Sequence, residues 1–214
     1  MINFVPLFPL NLVVFPGEAL NLHIFEERYR QLIHDCRTQA KPFVIPAVIN
    51  GEVSEYGTLV HIEAVDKEYP DGRLDIKTRG GQVFQLLEKV QQLPGKLYHG
   101  GIASYPANEL GPSPRQMEKL LPQLKELHQL LKVNKEFPKT VEDLLSYDIA
   151  HHAGLGLEEE YELLQLLRED QRLEYLKRHL QKIVPAAARL EALKERVQMN
   201  GHFKELKGFD FGDV

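Results

Sequence analysis

His151 and His152, three and four residues after Asp148, are the nearest approach to a metal-ligand cluster in this 214-residue chain. Imidazole and carboxylate together suit zinc and related ions. Adjacent helical residues point about 100° apart, so both rings do not face one ion. The pair reads instead as a helix end, where imidazolium is favourable. Cys36 stands beside Arg37, and a neighbouring cation lowers a thiol's pKa and makes it reactive. With no base partner in evidence, it reads as a plain, partly buried thiol. Glu26 and Glu27 have the pairing of acid and base carboxylates, yet they stand where a helix amino terminus favours negative charge. No catalytic residue and no metal ligand are assigned. The sequence has no G-x-x-x-x-G-K-[ST], no H-E-x-x-H, no G-x-S-x-G and no G-x-G-x-x-G.

Binding has the better case. Phe4, Phe8, Phe15 and Phe25 crowd into a short segment broken by Pro6, Pro9, Pro16 and Gly17. Aromatics left exposed by such a segment form a patch able to take apolar stretches of other chains. Phe8, Phe15, Pro16 and Phe25 are the expected polypeptide-binding surface, with residues 3–7 as a strand edge able to pair with an extended peptide. The alternative is an anion site at Arg73, Lys77 and Arg79, where backbone amides of the Gly80-Gly81 turn would assist. The plainer reading of that stretch is a solvated strand with a turn.

The elements that would carry these residues follow from local patterns. Pro6 and Pro9 donate no backbone hydrogen bond, which makes the first apolar run an edge strand or an extended segment over a core. Leu20, Leu22 and Ile24 alternate with Asn21 and His23, the period of a half-buried strand. A helix follows that buries Tyr29, Leu32 and Ile33 and exposes Arg28, Arg30 and Gln31. Strands are expected at 44–48, 58–66, 73–78, 83–90 and 96–104, with turn signals at Asn50-Gly51, Asp71-Gly72, Gly80-Gly81 and Pro94-Gly95. A mostly antiparallel sheet of about six strands must manage its edges, and closing into a small barrel does so.

At residues 104–115 prolines, glycine and polar residues precede a switch to helical periodicity. The division expected is a β domain over 1–108 and an α-helical subdomain over 109–214, an α+β fold. Ser113 is placed to cap a helix with its hydroxyl, Pro114 occupies the first helical position, and the helix runs to about Lys132. A second helix is expected from Thr140, closed by a box-like cap from Asp143 and ended by Gly154. A third covers 157–168, opened by Glu158, Glu159 and Glu160 at its positive end. The last is the longest, over 170–199, with one apolar stripe, a kink or division at Pro185 and a stop at Asn200-Gly201. Its stripe permits a homodimer or an intramolecular bundle. Phe203, Phe209 and Phe211 are expected to pack back onto the body or onto a neighbour.

Bulk properties bound the class. With 43% hydrophobic residues the chain can bury a proper core. A net charge of −5 leaves no general basic footprint for duplex nucleic acid. One cysteine forms no internal disulfide, no run reaches the roughly 20 apolar residues that cross a bilayer, and the proline-broken start is a poor signal peptide. Cytoplasmic residence is the expectation.

The words PLFPLNLVVFPGE and LNLHIFEERYRQLI, followed by Gly57, Thr58, the strand to Ile62 and the Asp71-Gly72-Arg73 turn, resemble the amino-terminal substrate-recognition domain of Lon ATP-dependent proteases. The resemblance covers nearly the whole chain, the helical half mainly in layout. It implies a PUA-like β pseudo-barrel with one helix, followed by a helical bundle. It also implies a non-catalytic module that binds unfolded or apolar polypeptide segments as an adaptor or holdase, without cofactor, and in concert with a separate protease or ATPase. The ATPase and serine-lysine peptidase parts of a Lon protease have no counterpart here. The alternative is small-molecule or RNA binding in a PUA-like crevice between the halves.

Overall fold

Pro6, which lacks a donor for a further ladder bond, ends the first strand in the computed structural model of the chain, which describes residues 2–206. Phe209 and Phe211 lie outside the described residues, as does the Phe203 side chain. The strands are β1 (Ile2–Pro6), β2 (Ala19–Ile24), β3 (Phe43–Ile49), β4 (Glu52–Glu68), β5 (Leu74–Val90) and β6 (Gly100–Ser104). The helices are α1 (Glu27–Thr38), α2 (Pro114–Leu130), α3 (Ser146–Ile149), α4 (Leu157–Gln165) and α5 (Glu169–Leu206). The result is a mixed α and β fold in which all ladders are antiparallel, ordered β1-β6-β5-β4-β3 with β2 added on β5. β1 is an edge strand. The ladder is open, and the segment after β1 reaches β3 only through isolated parallel bridges, Leu7 to Val44 and Leu10 to Ala47. The expected barrel is therefore not a closed ladder.

Turn chemistry acts where it was expected at three places. Asn50 and Gly51 both take positive φ, 52° and 82°, in the tight turn between β3 and β4. Gly72 at φ 82° turns β4 into β5, and Gly95 at φ 72° shapes the loop before β6. Gly80-Gly81 does not turn the chain. It lies inside β5, which joins the two expected strands into one. The reason is a close approach: a Cβ at Gly80 would overlap the Phe15 carbonyl, and Gly80 bonds two successive residues across that contact, accepting from Gly17 N–H (2.9 Å) and donating its own N–H to the Glu18 carbonyl (2.8 Å).

The helical half departs further from expectation. Ser113 caps α2 with its backbone carbonyl, while its hydroxyl donates to Gln116 Oε1 at 2.8 Å rather than accepting from a backbone N–H. Residues 141–143 form only a turn, and the segment is helical from Ser146, where the Asp148 carboxylate accepts from the Leu145 amide at 2.9 Å. Asp148 also takes the Lys139 ammonium at 2.7 Å, so the cap sits five residues later than Thr140 suggests. α4 ends at Gln165. α5 runs unbroken through Pro185 and on through Asn200-Gly201 to Leu206.

Three buried clusters hold these elements. One lies between α1 and the sheet, with Ile24, Leu32, Ile33, Phe43 and Ile76 at its centre. A smaller one gathers Val5, Leu7, Val44, Phe84 and Leu86. The largest joins Val13, Phe15, Ala47 and Val83 from the sheet side to Met117, Leu124, Tyr147, Leu164 and Leu176 of the helices, so the two halves share a core. Beside it Arg172, 0% exposed, binds the Glu169 carboxylate at 2.8 Å and donates to Ser146, Asn108 and the carbonyls of Leu166 and Glu109. Its guanidinium also lies 4.3 Å over the Tyr147 ring. This fixes the link between sheet and helices.

Candidate functional site

The four residues expected to form one docking surface are separated by burial. Phe8 is 4% exposed, packed on Tyr29 at 4.1 Å and on Phe43 at 5.8 Å. Phe15 is 1% exposed, stacked on Tyr147 at 5.1 Å and tilted on His151 at 4.8 Å. Neither ring can touch a docked chain, which corrects the expectation for both. Pro16 is half-buried, and of the four only Phe25, 61% exposed, stands open. Phe25 stacks on His23, whose ring meets Tyr69 edge-on. His23 and Tyr69 both donate to Asp75, at 2.6 and 2.8 Å, and these bonds hold its carboxyl below the ordinary range.

The basic stretch is engaged. Arg73 pairs with Asp71 at 2.7 Å, Lys77 with Asp66 at 2.8 Å and Arg79 with Glu63. Arg79 also donates to the Gly17 carbonyl. Gly80 and Gly81 are extended within β5, so their amides form no anion-holding turn. The expected anion site thus has its cations neutralised and its turn missing.

The polar candidates disperse as well. His151 lies between two carboxylates, Nδ1 on Glu160 at 2.7 Å and Nε2 on Glu18 at 3.1 Å. Burial alone would lower its pKa, but the bonds the ring donates to Glu160 and Glu18 outweigh that and raise it to about 9. The same Glu18 oxygen accepts from the Phe15 amide, so the charged ring fastens the first loop to α4. His152 has its pKa lowered by burial, and its carbonyl accepts from His128 Nε2 at 2.8 Å. Cys36 is 3% exposed, and burial, aided by Asp35, pushes its thiol up to about 12. Arg37 does not activate it. Glu26 sits at the start of α1, paired with Arg28.

What remains open is the surface around the carboxyl end of α1. Val5 and Leu7 point into the core, so the strand alternation turns Phe4 outward, 54% exposed. Its ring lies against Gly100 of β6, where a Cβ would overlap it. Phe4 and Pro6 of β1 face Leu93, Pro94 and Tyr98 of the 91–98 loop across a hollow of about 280 Å³. At its rim Asp35 accepts from Lys96 Nζ and from the Tyr98 hydroxyl, both at 2.7 Å. Burial works to raise the Asp35 pKa, and those bonds outweigh it and hold it low. Across the turn at 39–42 a second, open hollow of about 640 Å³ runs between Arg37, Lys41 and residues 61–65 of β4. The first hollow suits a large apolar side chain, and the fixed carboxylate and ammonium keep its rim wetted. Sequence reasoning noticed Phe4 without selecting it. The signal was the alternation with Val5 and Leu7.

A family model for the ATP-dependent protease La (LON) substrate-binding domain matches residues 5–182. Among solved structures, the Lon N-terminal domain protein from Xanthomonas campestris is similar at TM-score 0.59 and 28% identity, over 81% of this chain and 96% of that one. The N-terminal domain of Mycobacterium avium complex Lon protease shares the fold at TM-score 0.59 and 14% identity, over 84% of this chain and 98% of that one. No curated protein matches significantly.

Proposed function

The chain belongs to the LON substrate-binding domain family, and from that membership we propose that it is a polypeptide-recognition module, a cytoplasmic adaptor or holdase for exposed apolar segments. The observation that carries this reading is Phe4, more than half exposed at an apolar hollow on the sheet side. Fixed, exposed aromatics of this kind bind apolar side chains with little loss of conformational freedom. The domain match is to a substrate-binding module of a protease, so a separate ATPase or protease would act on what this module holds. The bridges from Leu7 and Leu10 to β3 support a pseudo-barrel arrangement of the open sheet, and no described helix is long and apolar enough to cross a membrane. The pairing of Arg73, Lys77 and Arg79 speaks against the RNA alternative.

The test is saturable binding of a permanently unfolded apolar polypeptide to the whole chain. Phe4→Ala is expected to weaken it about five- to thirtyfold, since loss of an anchoring aromatic costs about 1–2 kcal/mol. Its thermal stability should stay near that of wild type. Undiminished binding by the folded variant would overturn the reading.

A further inference from the structure

We infer that the open hollow beside the Phe4 site is a carboxylate subsite, so that the segment this module takes is extended and carries an acidic side chain within a few residues of its large apolar one. This rests on the polypeptide-recognition reading of the same face and adds the chemistry of the segment.

The first support is where charge is left over. In the sheet half Arg28, Arg73, Lys77, Arg79 and Lys96 each sit on a carboxylate. Arg30 and Lys89 donate to backbone carbonyls, and Lys67 lies 4.4 Å over the Tyr69 ring. Among the described residues up to 108, that leaves Arg37 and Lys41 as the lysine and arginine side chains with no acidic, carbonyl or aromatic partner. Both are exposed, and both line the open hollow. Lys41 lines the Phe4 hollow too, as does Cys36, so the two spaces adjoin at these residues. The acid on the facing wall of this hollow, Glu63, is held by Arg79, and Glu27 and Glu68, which line a third hollow with Arg37, make no ion pair with it. The dipole of α1 favours a cation at Arg37 in its last turn. It does not account for Lys41, which lies past the positive-φ turn at Ala40.

The second support is the backbone of the facing wall. β3 pairs with β4 only from Phe43 opposite Val60 onward, because Pro42 has no N–H to extend the ladder. From His61 to Glu68, β4 is laddered by β5 on one side alone. Register shifts between Ile62 and Ala64 and between Val65 and Lys67 allow only a short ladder on the other side. An extended segment on that edge would gain a few main-chain bonds and pass in front of Arg37 and Lys41. Side chains at its two ends would then set its selectivity, one apolar at Phe4 and one acidic at the cations.

Fluorescence anisotropy of the whole chain with three short dye-labelled peptides tests this. The peptides share one phenylalanine and carry Asp, Asn or Lys at the flanking positions. The Asp peptide is expected to bind about three- to tenfold tighter than the Asn peptide, as exposed charge pairs allow, with the Lys peptide weakest. Arg37→Glu combined with Lys41→Glu should reverse that order and lower the melting temperature by no more than about 4 °C, since both side chains are exposed and the loss is that of a cation at the α1 carboxyl end. Phe4→Ala should weaken all three peptides by a similar factor and keep the order. Equal binding of the Asp and Asn peptides, still lost in Phe4→Ala, would remove the carboxylate subsite and leave the recognition reading standing. Absent binding, or binding indifferent to Phe4→Ala, would overturn both.

Discussion

Phe15→Ala and Phe25→Ala are the same chemical change ten residues apart, and the structure assigns them opposite consequences. The Phe15 ring is 1% exposed, stacked on Tyr147, tilted on His151 and part of the cluster shared by sheet and helices. Truncating a phenylalanine in such a place costs about 3–5 kcal/mol, the lost transfer energy plus the cavity left behind. In a chain of this size each kcal/mol moves the melting temperature by about 2–4 °C, so the loss is roughly 6–20 °C. Phe25 is 61% exposed and makes one aromatic contact, with His23. Its removal is expected to stay within about 0.5 kcal/mol. Urea unfolding followed by far-ultraviolet circular dichroism, extrapolated to water, gives both values, and an unchanged slope with denaturant shows that the difference is one of native stability. Phe15→Leu, which keeps most of the volume, should recover the greater part of the loss. A Phe15→Ala cost below about 1 kcal/mol, or one no larger than that of Phe25→Ala, would refute the placement of Phe15 in the shared core.

His151 has its pKa raised to about 9 from an ordinary 6.5. The stability it adds is therefore fully present below pH 6.5 and is lost as pH rises towards 9. Melting temperatures of wild type and His151→Gln should converge across that window, and a constant difference would contradict the Glu18 and Glu160 clamp. Arg172→Ala leaves the Glu169 carboxylate, 4% exposed, without its cation. It should cost about 3–5 kcal/mol in thermal or chemical unfolding, and a near-neutral result would refute the buried knot. Cys36, buried and with its thiol pushed up to about 12, should react with an aromatic disulfide reagent only as fast as the fold opens. Complete labelling of the native protein within mixing time would contradict its burial.

Much of the sheet was legible because its signals are local. Asp71-Gly72 turns the chain since Gly72 accepts positive φ. Leu20, Leu22 and Ile24 face inward relative to Asn21 and His23 because side chains alternate in any strand. Pro114 opens α2, and three glutamates open α4 at its positive end. The misread positions have partners far along the chain. Gly80-Gly81 is strand rather than turn because the Phe15 carbonyl presses on Gly80. Residues from Thr140 await Ser146 because the cap is set by Asp148 and Glu169 meeting the Ser146 region, the latter through the Ser146 amide at 2.7 Å.

The candidate site divides the same way. The amino-acid order alone determined the Lon-type opening, the edge strand that carries Phe4, and a family whose matched span covers residues 5–182. Only the tertiary structure decided which phenylalanines are open. Phe15 sits in a proline-glycine turn as exposed in pattern as any, yet Tyr147 and His151 close over it. Arg37 and Lys41 look like any surface cations until their neighbours' pairings leave them over. Alternation and turn geometry are properties of a few consecutive residues, whereas burial and leftover charge depend on which distant segments the fold brings alongside.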